Sequence, residues 1–392
     1  MSYHSDVGKT TTQIYRFAED PSDPFIFQSG EKLHGLQLAY EMYGELSPEK
    51  DNAILVFHAM SGSAHAAGLN TSFDEAGDRW TKECQIGWWD KFIGPGKALD
   101  TRTFCVICAN YIGGCYGSTG PTSINPETGK PFGSTFPMIT ISDIVDSQVK
   151  LLNHLGIEKL HAVIGPSIGG MCTMNFATRF PDRVRHVIPM SSALSVSTLQ
   201  RVLNFEQIFA IEEDPAFNGG DYYDGEPPEK GLALARMIAH KTYISLQTLE
   251  RRARGEIVKR EPSLRAYELT SPIESYMLHQ GQKFVQRFDA NSYLRITAAW
   301  QHYDLLHDAG ARNYKELFHR CLEQRVLVFS IDTDVCYYPD EQIEMVNRIK
   351  EAGVTCQHIT AHSDKGHDSF LLEPDLFAPH IDYLLKQRYG AS

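Results

Sequence analysis

Short apolar runs alternate with segments of helical periodicity along most of this chain, and this alternation restricts its fold more than any other feature. Strands that read as nearly continuous apolar runs are typical of parallel sheets covered by helices on both faces. The predicted strands occupy residues 36–44, 52–60, 104–110, 160–165, 186–193, 325–332 and 355–361, and the predicted helices 141–156, 169–180, 340–353 and 375–390. The pattern therefore predicts an α/β fold with a mostly parallel sheet.

The alternation stops from about residue 195 to 310, where long helical patterns such as 229–254 occur without a convincing core strand. A chain of 392 residues exceeds the usual domain size of roughly 100–200 residues. We therefore predict one α/β core formed by residues 1–194 and 311–392, interrupted by a helical lid over residues 195–310.

The sharpest local motif is Gly165-Pro166-Ser167-Ile168-Gly169, which fits G-x-S-x-G and lies between a predicted strand and a predicted helix. This context is typical of a nucleophile elbow, a turn too tight for side chains at the flanking glycines. Such a turn holds the serine hydroxyl out of the sheet, and the helix N-terminus beside it supplies backbone N–H donors. The motif predicts Ser167 as a catalytic nucleophile.

A nucleophilic serine needs a base and an orienting carboxylate, which follow it in the order Asp, then His, in α/β hydrolases. Asp334 comes directly after a predicted strand, and His367 lies between the last predicted strand and the last helix. Order and placement favour this pair. Asp332 remains an alternative for the acid, and His362 is a weaker alternative for the base.

An oxyanion hole requires two backbone N–H donors near Ser167. Ile168, the residue after the nucleophile, is expected to supply one. The second is expected from a loop after an early strand, and Met60 in the segment His58-Ala59-Met60-Ser61-Gly62 is the candidate. His58 and His65 flank the end of this strand near the proposed site, and we expect them to be structural because the scheme has no task for a second base.

Composition excludes several classes of protein. Hydrophobic residues make up 42% of the chain, enough to bury a core, and the net charge of −12 argues against nucleic acid or an anionic membrane as a partner. We find neither a signal-peptide pattern nor eighteen consecutive apolar residues. Eight cysteines are sparse for a disulfide framework, and Cys105 and Cys108 lie within a predicted strand as core thiols. These features favour the cytoplasm, and no metal is expected.

Several long stretches are similar to the homoserine O-acetyltransferase family of the α/β-hydrolase superfamily, and together they cover almost the whole chain. The matching stretches are SGEKLHGLQLAYEMYGEL, VFHAMSGSAHAAG, GWWDKFIGPGKALDT, ANYIGGCYGSTGPTSINPETGKPFGS, GPSIGGM, GGDYYDGEPPEKGLALARMIAHKTYIS, KFVQRFDANSYL and GHDSFLLEP. The resemblance implies an α/β-hydrolase fold with an inserted helical lid. It also implies ping-pong transfer of an acetyl group from acetyl-CoA to the side-chain hydroxyl of L-homoserine, a step of methionine biosynthesis.

The resemblance assigns nucleophile, acid and base to Ser167, Asp334 and His367, in agreement with the order of the residues. It implies that Arg236 binds the substrate carboxylate and that Tyr243 and Asp368 are further polar partners of the substrate. A guanidinium pairs with a carboxylate in a planar fork, and an aspartate suits an ammonium group. The resemblance further implies a homodimer formed through the lid helices, with acyl-CoA as co-substrate and no permanently bound cofactor.

The sequence departs from the family pattern beside the nucleophile and at the acid. Pro166 stands where glycine is usual, and Ile168 stands where methionine is usual. The segment Asp334-Val335-Cys336-Tyr337-Tyr338-Pro339 has one residue more than the family pattern, which keeps Asp332 open. Homoserine O-succinyltransferase, serine O-acyltransferase and, with less support, an esterase remain the alternative activities.

Overall fold

A mixed sheet of eight strands forms the centre of the computed structural model, which describes residues 5–255 and 266–387. The ten strands of the described chain are β1 (Gln13–Phe17), β2 (Phe25–Ile26), β3 (Lys32–Leu33), β4 (Leu36–Tyr43), β5 (Ala53–Val56), β6 (Cys105–Ala109), β7 (Leu160–Pro166), β8 (Val184–Met190), β9 (Arg325–Ile331) and β10 (Thr355–Ala361). The sheet order is β1-β4-β6-β5-β7-β8-β9-β10, and β2 pairs with β3 alone. From β6 to β10 all neighbours are parallel, whereas β4 is antiparallel to both β1 and β6.

Helices cover the sheet and fill the stretch between β8 and β9. They are α1 (Ile141–His154), α2 (Ile168–Arg179), α3 (Thr198–Glu212), α4 (Glu229–Tyr243), α5 (Leu246–Gly255), α6 (Pro272–Val285), α7 (Ala290–Gln301), α8 (Leu305–Asp308), α9 (Tyr314–His319), α10 (Pro339–Glu351), α11 (Ser369–Leu372) and α12 (Ala378–Leu385). Among the described residues no helix is long and apolar enough to cross a membrane.

The central strands are buried on both faces because helices lie on each side of the sheet. Every residue of β5 and β6 is buried, including the free thiols of Cys105 and Cys108. Burial raises the pKa of Cys105 to about 11, so this thiol stays protonated in the core. The central strands position the site because parallel strands bring their carboxyl ends, and the loops that follow them, to one edge of the sheet.

The predicted α/β fold is confirmed, and each predicted strand of the core is present. Between β8 and β9 the described residues form helices, with no strand beyond an isolated bridge from Ser195 to Asp304. The division at residues 194 and 311 and the lid role stay predictions. The helical pattern over 229–254 forms two helices instead of one, because Ile244 has extended backbone angles.

Candidate active site

Ser167 lies at a sharp turn between β7 and α2 in a strained backbone conformation. Its φ of 58° and ψ of −127° are rarely adopted by residues with a side chain. A Cβ at Gly165 would lie 2.3 Å from the carbonyl oxygen of Gly169, and one at Gly169 would lie 2.3 Å from that of Phe57. Both glycines are therefore required by close backbone approach, and the turn has the shape of a nucleophile elbow.

His367 and Asp334 form a buried pair beside this turn. The Nδ1 of His367 lies 2.7 Å from Oδ2 of Asp334, and both side chains are almost wholly buried. The other carboxylate oxygen, Oδ1, accepts hydrogen bonds from the backbone amides of Cys336 at 2.8 Å and Tyr337 at 3.0 Å. With Nδ1–H donating to the carboxylate, Nε2 carries the lone pair of a general base. Nε2 has no hydrogen-bond partner among the described residues.

The alternative acid, Asp332, is engaged elsewhere. Its Oδ2 lies 2.9 Å from Nδ1 of His362, and its Oδ1 accepts a hydrogen bond from the amide of Ser363 at 3.0 Å. The side chain of His362 is 82% exposed, so this pair lies at the surface. The two alternatives thus pair with one another, away from the buried His367, and the extra residue after Asp334 does not separate Asp334 from His367.

One candidate oxyanion donor belongs to the elbow and the other to the loop that follows β5. Ile168 is the first residue of α2, where backbone amides have no partner within the helix. Met60 follows the end of β5, and close contact between Gly169 and the backbone of Phe57 and His58 joins the two segments. Neither the Ile168 nor the Met60 amide donates a hydrogen bond to another described residue. Two such buried amides suit an oxyanion hole.

A cavity of about 250 Å³ contains the predicted residues from both parts of the chain. From the sheet side it is lined by Met60, Ser167, His367 and Asp368. From the helical segment between β8 and β9 it is lined by Arg236, Tyr243 and Arg287. Two of the predicted site residues lie outside the lining: Asp334 is buried and bonded to His367, and the side chain of Ile168 lies in the core.

Arg236 is held in the cavity wall by aromatic rings. Its guanidinium carbon lies 5.2 Å from the ring centre of Tyr243 and 4.9 Å from that of Phe284. Cation–π contacts of this kind orient a guanidinium without consuming its hydrogen-bond donors. We find no hydrogen bond or ion pair from Arg236 to another described residue, so its planar fork of donors remains available to a carboxylate.

Asp368 provides the opposite charge in the same cavity. Burial raises the pKa of this carboxyl, although the nearby charge of Arg236 acts in the opposite direction. Its oxygens make no hydrogen bond or ion pair with other side chains in the described ranges. An ammonium group bound there would favour the ionised form and relieve the cost of burial. The cavity thus contains an unpaired anion and an unpaired cation near Ser167.

Arg287 also lines the cavity, and the sequence reasoning missed it. It donates to the carbonyl oxygen of Ser61 at 3.1 Å and to the hydroxyl of Tyr116 at 3.3 Å. Its guanidinium carbon lies 5.0 Å from the ring centre of Phe284, the ring that also contacts Arg236. The only signal for Arg287 was its place in the matching stretch KFVQRFDANSYL.

Comparisons with known proteins identify the fold and the family of the chain. A model of the alpha/beta hydrolase fold matches residues 52–374. A homoserine O-acetyltransferase from Solidesulfovibrio magneticus is 42% identical over 369 residues, which cover 94% of this chain and 90% of that relative. The chain belongs to the homoserine O-acetyltransferase family. Among solved structures, the homoserine O-acetyltransferase from Bacillus anthracis superposes with a TM-score of 0.86 at 28% identity, covering 98% of this chain and all of that one.

The solved structures that resemble this chain carry the names of different activities. A structure described as esterase E22 superposes with a TM-score of 0.84 at 27% identity, covering 96% of this chain and all of that one. An acetyltransferase and an esterase therefore share this architecture. The fold alone does not decide between the two reactions.

Proposed function

We propose that the protein transfers an acetyl group from acetyl-CoA to the side-chain hydroxyl of L-homoserine through an acyl-Ser167 intermediate. Membership of the homoserine O-acetyltransferase family supports this function. The structural observation that carries it is one cavity lined by Ser167, by His367, which is paired with the buried Asp334, and by two unpaired charges of opposite sign. This reaction would serve methionine biosynthesis.

In the first half-reaction, Nε2 of His367 removes the proton of the Ser167 hydroxyl, and the oxygen attacks the thioester carbonyl. The amides of Met60 and Ile168 hold the oxyanion that forms. The C–S bond then breaks, and His367 returns its proton to the departing thiolate of CoA. Asp334 stabilises the imidazolium, and it can do so because two backbone amides fix its carboxylate.

In the second half-reaction, the homoserine hydroxyl gives its proton to His367 and attacks the acyl-serine carbonyl. The ester oxygen of Ser167 leaves and takes the proton back. Arg236 is suited to the substrate carboxylate and Asp368 to its ammonium group, because each offers an unpaired partner of the correct charge. Tyr243 supports Arg236 through its ring. Held by both charged groups of its α-carbon, the acceptor presents its side-chain hydroxyl to the ester at high effective concentration.

Hydrolysis of the acyl-enzyme by water is the competing reaction. It must be considered because a structure named as an esterase resembles this chain. A transferase must keep water from the acyl-enzyme while its acceptor enters. The cavity has a volume of about 250 Å³ and is lined partly by the helical segment. A site of this size can hold a small acceptor while the helices limit the access of water. The helices between β8 and β9 are therefore proposed to act as a lid.

The test is to incubate the protein with acetyl-CoA or succinyl-CoA and with L-homoserine or L-serine, in all four combinations, and to identify products by mass spectrometry. O-acetylhomoserine is the expected main product. Free CoA released at the same rate with and without an amino acid would instead indicate an esterase. Ser167→Ala is the matched control, since it removes only the nucleophilic oxygen.

We further propose a cytoplasmic homodimer. Helix α3 carries an exposed apolar stripe formed by Leu199, Val202, Phe205 and Phe209, each about half exposed. Exposed apolar patches of this kind mark interaction sites. Light scattering coupled to size exclusion should report a dimer for the wild type and a monomer for Phe205→Glu. A wild-type monomer at micromolar concentration would contradict the proposal.

A further inference from the structure

His58 is a buried histidine that the two half-reactions leave without a role. It follows the buried strand β5 and is 1% exposed. Its ring stacks on Tyr111, with centroids 3.6 Å apart and planes inclined by 21°. The hydroxyl of Tyr111 donates to the carbonyl oxygen of His58. The imidazole is therefore fixed in one orientation at the end of the strand.

Hydrogen bonds at both ring nitrogens define the protonation state of His58. The backbone N–H of Tyr111 points at Nε2 across 3.3 Å, so Nε2 must accept. Nδ1 lies 2.7 Å from the carbonyl oxygen of Ala59, so Nδ1 must carry the proton and donate it. Burial lowers the pKa of His58 to about 4, and the neutral Nδ1–H form therefore persists at neutral pH.

The carbonyl that His58 engages belongs to the same peptide group as the Met60 amide. Peptide groups are planar and trans, so C=O and N–H of one group point in opposite directions. Fixing the Ala59 oxygen therefore fixes the direction of the Met60 N–H. The Gly62 amide donates to the same oxygen at 2.9 Å, and a Cβ at Gly62 would lie 2.8 Å from the Cβ of His58.

We propose that His58 is a positioning residue that aims the Met60 amide at the oxyanion of the acyl-transfer steps. This inference rests on the proposed function. The Nδ1–H bond holds the Ala59–Met60 peptide before the reaction begins, so no reorientation is needed when negative charge develops. A carbonyl that accepts two hydrogen bonds also polarises its own peptide, which makes the attached N–H a stronger donor.

Two substitutions separate this role from packing. The side-chain nitrogen of His58→Asn stands near the position of Nδ1 and keeps a donor for Ala59. His58→Gln places its amide near the position of Nε2 and loses the Nδ1 donor. Removing an oxyanion donor typically costs about 10²–10³-fold in kcat. We expect His58→Gln to lose about a hundredfold in the rate of Ser167 acylation and His58→Asn to lose several-fold at most.

Acylation is measured with p-nitrophenyl acetate, which needs the nucleophile and oxyanion hole but no amino acid acceptor. Methylboronic acid forms a tetrahedral adduct on serine. In His58→Gln its affinity should fall together with the rate of acylation. The KM for homoserine should stay near the wild-type value. Equal losses in the two variants, or a wild-type rate in a folded His58→Gln, would overturn the proposal.

Nitrogen-15 spectra of the histidine-labelled wild type test the same claim without substitution. At neutral pH His58 should be the neutral Nδ1–H tautomer, and an Nε2–H tautomer or an imidazolium would contradict the proposal. A wild type that is acylated by p-nitrophenyl acetate but transfers to no amino acid would refute the proposed function alone. The comparison of His58 variants would remain valid in that case.

Discussion

Replacing Asp334 by asparagine should nearly abolish catalysis while leaving the fold intact. The Oδ1 atom of Asp334 accepts two backbone amides, and an asparagine oxygen can keep both bonds. The asparagine NH₂ would then face Nδ1 of His367, where Oδ2 now lies at 2.7 Å. Since NH₂ only donates, Nδ1 would have to accept and the ring proton would move to Nε2. Nε2 would then carry a proton and could no longer act as the general base.

The expected loss is about four orders of magnitude in kcat, the value typical of this tautomer change in a serine triad. At 1.36 kcal/mol per decade this equals about 5.4 kcal/mol of transition-state stabilisation. Initial rates of acetyl transfer at saturating acetyl-CoA and homoserine measure it. Thermal melting should differ little, because size and amide contacts are conserved.

Asp332→Asn is the matched control, two residues away. This carboxylate pairs with the exposed His362, so the variant should keep activity within about threefold, as is usual for an exposed pair. The account is refuted if Asp332→Asn loses as much activity as Asp334→Asn, or if Asp334→Asn retains a tenth of the wild-type rate.

Three further changes test the binding groups and the stability of the site. Arg236→Met should raise the KM for homoserine about tenfold to a hundredfold, the worth of a charge-assisted hydrogen bond, while acylation of Ser167 changes little; equal loss in both would contradict the assignment. Burial raises the pKa of Asp368, so acidification should protonate it and raise the KM for homoserine; this limb of the pH profile should vanish in Asp368→Asn, and its persistence would exclude Asp368 as the titrating group. Burial also raises the pKa of Glu341 to about 7, so this side chain stabilises the fold at acidic pH and that contribution is lost as the pH rises from about 4.5 through 7. Glu341→Gln should therefore raise the melting temperature at pH 8 but not at pH 4, and an unchanged difference across this range would refute the assignment.

Much of the core follows from local signals in the sequence. The strand at Leu160–Pro166 is a buried apolar run, and the elbow after it needs glycines at 165 and 169, so both strand and turn are visible without the fold. Chain order after Ser167 then selects acid and base. By contrast, Gln13–Phe17 gave no clear strand signal, because this edge strand is short and only partly buried.

Other features depend on distant contacts and have no local signal. The helical pattern over 229–254 breaks at Ser245, whose amide donates to the carbonyl of Lys365. There Gly366 packs so closely that a Cβ would lie 2.5 Å from the Ser245 nitrogen. The break between the two helices therefore lets this part of the chain pack against the loop that carries His367. The choice between Asp332 and Asp334 likewise needed the structure, because only the fold shows which histidine each one meets.

The central claim is that an acetyl group passes through Ser167 to homoserine, and a chase of the acyl-enzyme tests it most directly. The protein is mixed briefly with acetyl-CoA and freed of CoA, and one half is then kept in buffer while the other receives homoserine. Peptide mapping by mass spectrometry measures the acetyl group on Ser167 in both samples. We expect one acetyl group on Ser167, discharged far faster with homoserine and recovered as O-acetylhomoserine. An unmodified Ser167, or equal discharge to free acetate in both samples, would contradict the account.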